Sequence, residues 1–419
     1  MKIPEWVQLE HDVQLILTEQ EIHGWAFDER AAWELTSTLQ KEFEETCKLL
    51  RDRFPFVAGP IFTPKRNNRT QGYVAGAPST RLKELNPTSR DHIAWVLQTH
   101  SSWKPTEMTT TGKPIVNETV LKEIGSPLSM EFLRCLTVMK MLGQLSEGTN
   151  AWLKLITNAK RLHHHCSVST STHRCAHRNP NLAQVNSDER FRRLFIPSEG
   201  MVMCGADLSG IELRMLAHYR ARFDGGRYAK ILLEDDIHQV NADAIGISRR
   251  QVKTVTYGWM YGAGDEKIGY TFDDQLTPKA AKKKGKEIRQ AFVDAIPGMS
   301  DLLDSISTAA ERGYIKSIDG RKIKLDSKHK ALNYLLQSGA GVIAKRWMVI
   351  NQETIKSIGI EAYQLAFIHD ELQFETHPSN ARDLQTSLVH SATSSGEYYN
   401  LRIRIDAEAK QGSNWAEVH

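Results

Sequence analysis

The sequence predicts an α+β, helix-rich fold whose sheet is assembled from distant parts of the chain. Three observations carry this. The apolar run 201–206 (MVMCGA) reads as a buried strand and gives way at once to Asp207. Much later, 363–368 and 372–375 are apolar or alternating, with only His369, Asp370 and Glu371 between them, as in a hairpin with acid at its tip. Elsewhere apolar residues recur with helical period, over 8–54, from about 92 to about 155, and through most of 209–350.

Taken in order, Leu9, Val13, Ile16 and Leu17 mark a first helix that breaks at His23-Gly24. Leu35, Leu39, Phe43 and Leu50 then mark a longer second one. Residues 57–91 place Pro60, Pro64, Gly72, Gly76, Pro78 and Pro87 among basic and polar side chains. An irregular, functional loop is expected there, because structureless loops beyond about 15 residues are uncommon. The stretch 162–200 is polar and rich in His, Ser and Thr, and 315–325 gives a strand–turn signal around Asp319-Gly320.

At 419 residues the chain has room for two to four domains, taking about 150 residues for each. Charged residues make up 25%, which excludes wholesale disorder and fibrous repeats. No apolar stretch approaches the roughly 18 residues of a membrane span, and the opening MKIPEWVQLEHD lacks the apolar core of a secretory signal. Five cysteines, an odd number scattered along the chain, make no disulfide framework, so a reducing cytoplasm is expected. The net charge of +4 permits a nucleic-acid partner without requiring one.

Asp207 and Asp370 each stand where a buried strand gives way to a turn. If their strands are neighbours, two like charges converge, a costly arrangement unless divalent cations bridge them. Paired carboxylates of that kind serve two-metal phosphoryl transfer; ordinary turn acids are the alternative. Glu212 falls in Ser209-Gly210-Ile211-Glu212, which also fits a capping box. Arg249, Lys253, Tyr257 and Tyr261 recur every four residues on one helix face, cations first and aromatics after. That order suits a triphosphate followed by a sugar and a base pair, or else a solvated basic turn running into a packed aromatic one. Lys279, Lys282, Lys283, Lys284 and Lys286 read as a solvated face. His163, His164, His165, Cys166, His173, Cys175 and His177 suggest zinc at first sight. Their spacing matches no usual finger or knuckle, and an extended strand is expected to splay them onto opposite faces.

Three stretches, 207–214 (DLSGIELR), the stripe from Arg249 to Gly264, and 368–372 (IHDEL), resemble in order and character motifs A, B and C of family A DNA polymerases, the DNA polymerase I family. Support comes from Arg222-Phe223-Asp224, 257–269 (YGWMYGAGDEKIG), 319–322 (DGRK), 331–339 (ALNYLLQSG) and Asn414-Trp415-Ala416. Upstream, 73–78 (YVAGAP), 86–93 (NPTSRDHI), 143–153 and 179–184 (NPNLAQ) are similar too. The similarity runs from about residue 8 to the end and is greatest to the replicative enzymes of short-tailed phages.

The resemblance implies a right-hand architecture: a thumb over 1–155 with a shortened basic loop at 57–91, a palm with an antiparallel sheet over 156–215 and 340–419, and fingers over 216–339. It implies template- and primer-dependent addition of dNTPs to a primer 3′-OH. Asp207, the Leu208 carbonyl and Asp370 would hold two Mg2+ ions, with Glu371 supporting the primer end or the metal shell. Arg249, Lys253 and His238 would grip the dNTP phosphates, and Lys253 would protonate the pyrophosphate. Glu212 would act as steric gate against a ribose 2′-OH, beside Tyr257. Many relatives have Phe in place of Tyr257, whose hydroxyl can stand in for the missing 3′-OH of a dideoxynucleotide. Tyr261, Arg174, Asn333, Gln337, His329 and His369 would line the nascent pair and its minor groove.

Two departures stand out. His173 precedes Arg174 where the family usually has Gly, and no exonuclease motif precedes the first helices. Proofreading is therefore expected either from a separate 3′–5′ exonuclease polypeptide or not at all, and a phage helicase-primase is a further expected partner. Close relatives insert a thioredoxin-binding segment near 57–91; the short loop here makes thioredoxin doubtful and favours direct phosphate contact through Lys65, Arg66, Arg69, Arg81 and Lys83. The cytoplasm of an infected bacterium is the expected setting, with no membrane partner. A single-subunit RNA polymerase, disfavoured by Glu212, and a non-catalytic DNA-binding subunit, disfavoured by the intact carboxylates, remain as alternatives.

Overall fold

A computed structural model of the chain describes residues 3–168, 170–186, 188–273 and 276–419. The fold opens with α1 (Glu5–His23) and β1 (Trp25–Ala26). Next come α2 (Glu29–Arg53), β2 (Phe56–Ala58), β3 (Leu82–Glu84), α3 (Arg90–His100), α4 (Glu118–Ile124), α5 (Pro127–Leu142) and α6 (Trp152–Leu155). Short elements follow, β4 (Arg161–Leu162), β5 (His165–Ser167), β6 (Ala176–Arg178) and α7 (Glu189–Arg192), before the strand β7 (Val202–Leu208). A helical block then holds α8 (Ile211–Asp224), α9 (Arg227–Glu234), α10 (Ile237–Ile245), α11 (Arg249–Met260), α12 (Asp265–Tyr270), α13 (Pro278–Ala295) and α14 (Met299–Ala310). After the ribbon β8 (Tyr314–Lys316) and β9 (Lys322–Lys324) come α15 (Ala331–Ser357), β10 (Ala362–Ile368), β11 (Glu371–Thr376), α16 (Ala381–Tyr398), β12 (Ala407–Gly412) and α17 (Trp415–Val418).

The chain divides into two compact units, one of Met1–Asp28 with Leu155–His419, the other of Glu29–Lys154. This moves the expected boundary of the first block. Leu9, Val13, Ile16 and Leu17 are buried as their period predicts, but in the core that also holds β7, β11 and α15. The break at Gly24, whose φ is 67°, thus separates helices of different units. The expected seams at 215/216 and 339/340 fall inside the continuous helices α8 and α15, within one unit.

In the unit Glu29–Lys154, α2 and α5 pack around Cys47, Leu50, Phe132, Leu133 and Cys135. Residues 57–91 are more ordered than their Pro and Gly content suggested. β2 pairs with β3, the bridges Phe62–Ser79 and Asn68–Tyr73 continue the ribbon, and Arg81 lies over the rings of Phe62 and Tyr73. Lys65, Arg66, Arg69, Arg81 and Lys83 are all exposed along it. The helical period expected from 92 to 155 is interrupted between α3 and α4, where Met108 and Pro114 bridge.

The larger unit is built on an antiparallel sheet of order β10–β11–β7–β12. β7 is central and almost wholly buried. A Cβ on its Gly205 would stand 2.4 Å from the Gln373 side chain and 2.6 Å from the Val418 carbonyl, so only glycine lets β11 and α17 approach. The sheet strand β12 has no apolar signature, because it is a partly exposed edge. In the β5–β6 hairpin, His163 and His165 turn to the Glu21 carbonyl and carboxylate, whereas His164, Cys166 and His177 gather together. The expectation that all were splayed overlooked that alternate residues share a face.

Glu375 on β11 ties the N-terminal segment to the sheet. Its buried carboxylate accepts from the His23 ring at 2.6 Å, the Ser198 amide at 2.7 Å, the Ser198 hydroxyl at 2.8 Å and Arg161 at 3.2 Å. Burial alone pushes this carboxyl up, but the bonds from His23, Ser198 and Arg161 prevail and hold it at about 2. A carboxyl held below its unfolded value stabilises the fold above the unfolded value, and that contribution is lost as pH falls through the folded one. Glu375→Gln is expected to lower stability by ~2–3 kcal/mol near neutral pH, with the gap to the unmodified chain closing below about pH 4. Urea denaturation across that range checks this; a gap that stays constant with pH contradicts it.

Candidate active site

The centre of the site is set by strand register. β7 and β11 pair so that Asp207 stands opposite Glu371 and Ala206 opposite Leu372. The Leu208 amide donates to the Asp370 carbonyl at 2.9 Å, fixing the end of one strand to the turn of the hairpin. That two-residue turn is made by His369, with φ at 60°, and Asp370. On the other edge β12 pairs Glu408 with Asp207, and the Ser209 amide donates to the Asp406 carbonyl. The strand end bearing Asp207 is therefore held from both sides.

Charge is concentrated here at a cost. Asp207 is pushed up to about 7, first by burial, then by Glu371 and Asp370, with His419 partly offsetting. Asp370 is pushed up to about 6 by burial and then by Glu212, with Arg174 offsetting. Glu371 is buried and well partnered, accepting from Trp415 Nε1 at 2.5 Å, Gln373 Nε2 at 2.6 Å and His419 Nδ1 at 3.2 Å. Ligand atoms of Asp207, Glu371 and His419 lie within 4.8 Å of one another. The hydrogen bond to Glu371 raises His419 against the effect of burial. Carboxylates whose ionisation is uphill in a crowded pocket, offering oxygen donors, are the chemistry that hard divalent cations fit.

Beside the acids, α8 begins at Gly210, which has φ 54° and ψ 43° and makes no side-chain cap. The alternative capping role of Glu212 is not realised, since this left-handed residue and the Ser209–Asp406 bond take the chain into the helix differently. Glu212 instead accepts from Arg174 and, at 3.2 Å, from the Tyr261 hydroxyl. Burial and the Glu212 charge push Tyr261 up to about 12. Tyr257 and Tyr261 stack with centroids 6.4 Å apart, and His238 lies 5.7 Å from Tyr257.

The stripe is thus one face of α11, with Tyr261 as its C-cap residue. The helix starts in a capping box between Ser248 and Gln251. Arg249 is paired with Asp236 at 2.7 Å, and Asp236 also caps α10 through the amides of His238 and Gln239. Burial, then the charges of Arg249 and Lys253, lower His238 against the pull of Asp236, so the imidazole and both cations share one locality. Lys253 is exposed on this face.

Arg174 follows His173, which adopts φ 63°. The family's usual glycine is explained by that left-handed backbone; here a histidine holds it, anchored to the Ser338 hydroxyl at 2.9 Å. Asn333 is buried and spends Nδ2 on the Met260 carbonyl at 2.6 Å, and Gln337 stands half-buried one turn later on α15. His369 is lowered by burial and then by the Arg174 charge. His329 stays exposed in the turn Lys328–Lys330, outside this network of bonds among the described residues. Sequence reasoning missed His419 and Asp236. The motif Asn414-Trp415-Ala416 was the available signal for the first, since Trp415 seats on Glu371; nothing local marks Asp236.

DNA polymerase family A matches residues 67–417. The chain belongs to that family. It is 33% identical to the DNA-directed DNA polymerase of Enterobacteria phage T3 and 32% identical to that of Escherichia phage T7, in each case over 99% of this chain and 70% of the phage enzyme. Among solved structures, the POL domain of Pol1 from M. smegmatis shares the fold with a TM-score of 0.79 and 22% identity, covering 98% of this chain and 70% of that one. The protein is a DNA-directed DNA polymerase, and as family A enzymes use divalent metals, the acid cluster fits that requirement.

In this family A polymerase the raised carboxyls give a sign that can be tested. Asp207 has a folded value above its ordinary 3.8, so its contribution to stability is present at low pH and lost as pH rises through about 7. In chelator, Asp207→Asn is expected to be more stable than the unmodified chain by ~1–3 kcal/mol near pH 8 and equal to it near about pH 4. Urea unfolding at both pH values checks this; a destabilised variant at the higher pH contradicts it.

Proposed function

We propose that this chain is the polymerase of a phage replicase, extending a DNA primer on a DNA template with dNTPs by two-metal phosphoryl transfer. The observation that carries the reading is the locked β7–β11 pair, which brings Asp207 and Asp370 to one strand end with their ionisation suppressed. The M. smegmatis domain of the same fold is described in complex with DNA primer-template and dNTP, which supports the same ligands here.

Asp207, the Leu208 carbonyl and Asp370 would hold two Mg2+ ions, which when bound acidify the primer 3′-OH and neutralise the charge of the departing pyrophosphate. Arg249, Lys253 and His238 bind the triphosphate from α11 and α10, and Lys253 gives a proton to the leaving pyrophosphate. Glu212, oriented by Arg174 and Tyr261, walls off the ribose 2′ position beside Tyr257. Arg174, Asn333, Gln337, His329 and His369 receive the nascent pair and primer–template, checking acceptors common to all pairs. Glu371 keeps the Asp207 strand end in place through Trp415, Gln373 and His419.

In this reading Glu29–Lys154 is the thumb, its exposed basic ribbon meeting duplex phosphates, the sheet is the palm and α9–α14 the fingers. A separate 3′–5′ exonuclease polypeptide, a helicase-primase and the cytoplasm of an infected bacterium belong to the same proposal. Primer extension from a mismatched 3′ end, with the chain alone and with infected-cell extract, tests the exonuclease.

Asp207→Asn is expected to cut single-nucleotide incorporation by ~1,000-fold or more while leaving primer–template affinity within about twofold. Incorporation at the unmodified rate rejects the assignment of the acids. In a ddTTP/dTTP competition the unmodified chain is expected to discriminate little, and Tyr257→Phe to raise discrimination by ~100-fold, since a site built around a hydroxyl suffers when it is lost. Unchanged discrimination removes the role given to Tyr257.

A further inference from the structure

We propose that His164, Cys166 and His177 form a second metal site, taking a transition-metal dication of the Zn2+ type and independent of the acid cluster. The three side chains come together by simple strand geometry. His164 and Cys166 are alternate residues on one face, and Cys166 is the cross-strand partner of His177 in the β5–β6 hairpin. Their ligand atoms lie within 4.8 Å of one another, Cys166 Sγ being 3.2 Å from His177 Nδ1. All three residues are buried, with exposures of 1%, 2% and 9%.

The donor set suits a borderline dication, since two imidazoles and one thiol, all buried, face one another. Gln20 of α1 lies across the cluster, its Nε2 3.1 Å from His164 Nε2 and 3.7 Å from Cys166 Sγ. An amide nitrogen can only donate, so the His164 Nε2 lone pair accepts from Gln20, which an incoming ion must displace. Among the described residues His177 Nε2 is buried without a partner, while Nδ1 is the ring nitrogen that faces Cys166 Sγ. Binding releases one proton: the Cys166 S–H bond breaks, the thiolate bonds to the ion, and the proton passes to solvent. Gln20, whose oxygen accepts from Gln364 Nε2 at 2.8 Å, then moves aside and leaves the fourth position to water.

Two imidazoles and a thiolate select a borderline ion over Mg2+, whereas Asp207 and Asp370 offer oxygen, so the two sites differ in preference. The ion would fasten the segment entering β5 to β6, closing the hairpin that carries His173 and Arg174. It would also back the ring of His369, which meets His177 edge-on at 6.0 Å.

The test uses the purified full chain equilibrated with Co2+ alone in the presence of excess Mg2+. Expected are about one Co2+ per chain, a thiolate-to-cobalt charge-transfer band in the near ultraviolet, and displacement by Zn2+. Cys166→Ser should abolish the band, His177→Asn should weaken binding by ~10- to 100-fold, and Asp207→Asn should leave both unchanged. Absence of the band, or its persistence in Cys166→Ser, overturns the proposal. Should the variants fold poorly, X-ray absorption on the zinc-loaded unmodified chain decides: one sulfur with nitrogen neighbours supports the site, and an oxygen-only shell overturns it.

Discussion

Everything at the candidate active site depends on the antiparallel pairing of β7 with β11. The side-chain period of a strand is two, so a slip of one residue would turn Asp207 away from Glu371 and toward the other face of the sheet. Three devices hold the register: the bond from the Leu208 amide to the Asp370 carbonyl, the second partner strand β12, and Gly205, which admits Gln373 where any Cβ would clash. Glu375 at the far end of β11, gripped by His23, Ser198 and Arg161, anchors the same pair from below.

The pairing creates electrostatic tension that the rest of the site is arranged around. Asp207 and Asp370 both sit above their ordinary range through burial and neighbouring carboxylates. Relief comes from cations already present: Arg174 offsets Asp370, and His419 offsets Asp207. Glu212 shares Arg174 and binds the Tyr261 hydroxyl, linking the acids to the end of α11. A fold that spends stability to hold charge in this way is typical of a site built for a ligand.

Much of this was legible in the sequence. The apolar run before Asp207 and the hairpin around Asp370 announced two strand ends, and the period of four from Arg249 to Tyr257 announced one helical face. What failed did so for identifiable reasons. Helical period marked Leu9, Val13, Ile16 and Leu17 as buried but not against which partner, so α1 was grouped with α2 instead of with the sheet. β12 is a polar edge strand and His419 a single residue, and neither carries a pattern. Glu212 matched a capping box, yet Gly210 is left-handed and the match had no structural counterpart. In the His and Cys cluster the parity of the strand, two residues per repeat, was the overlooked signal.

The central claim is that strand register brings Asp207 and Asp370 together as a seat for divalent cations. Mn2+ binding to the full chain without DNA or nucleotide, followed by loss of the free-ion paramagnetic resonance signal, tests it most directly. Measurable binding to the unmodified chain is expected, falling sharply in both Asp207→Asn and Asp370→Asn with the two variants still folded. Binding of unchanged strength in either variant would contradict it.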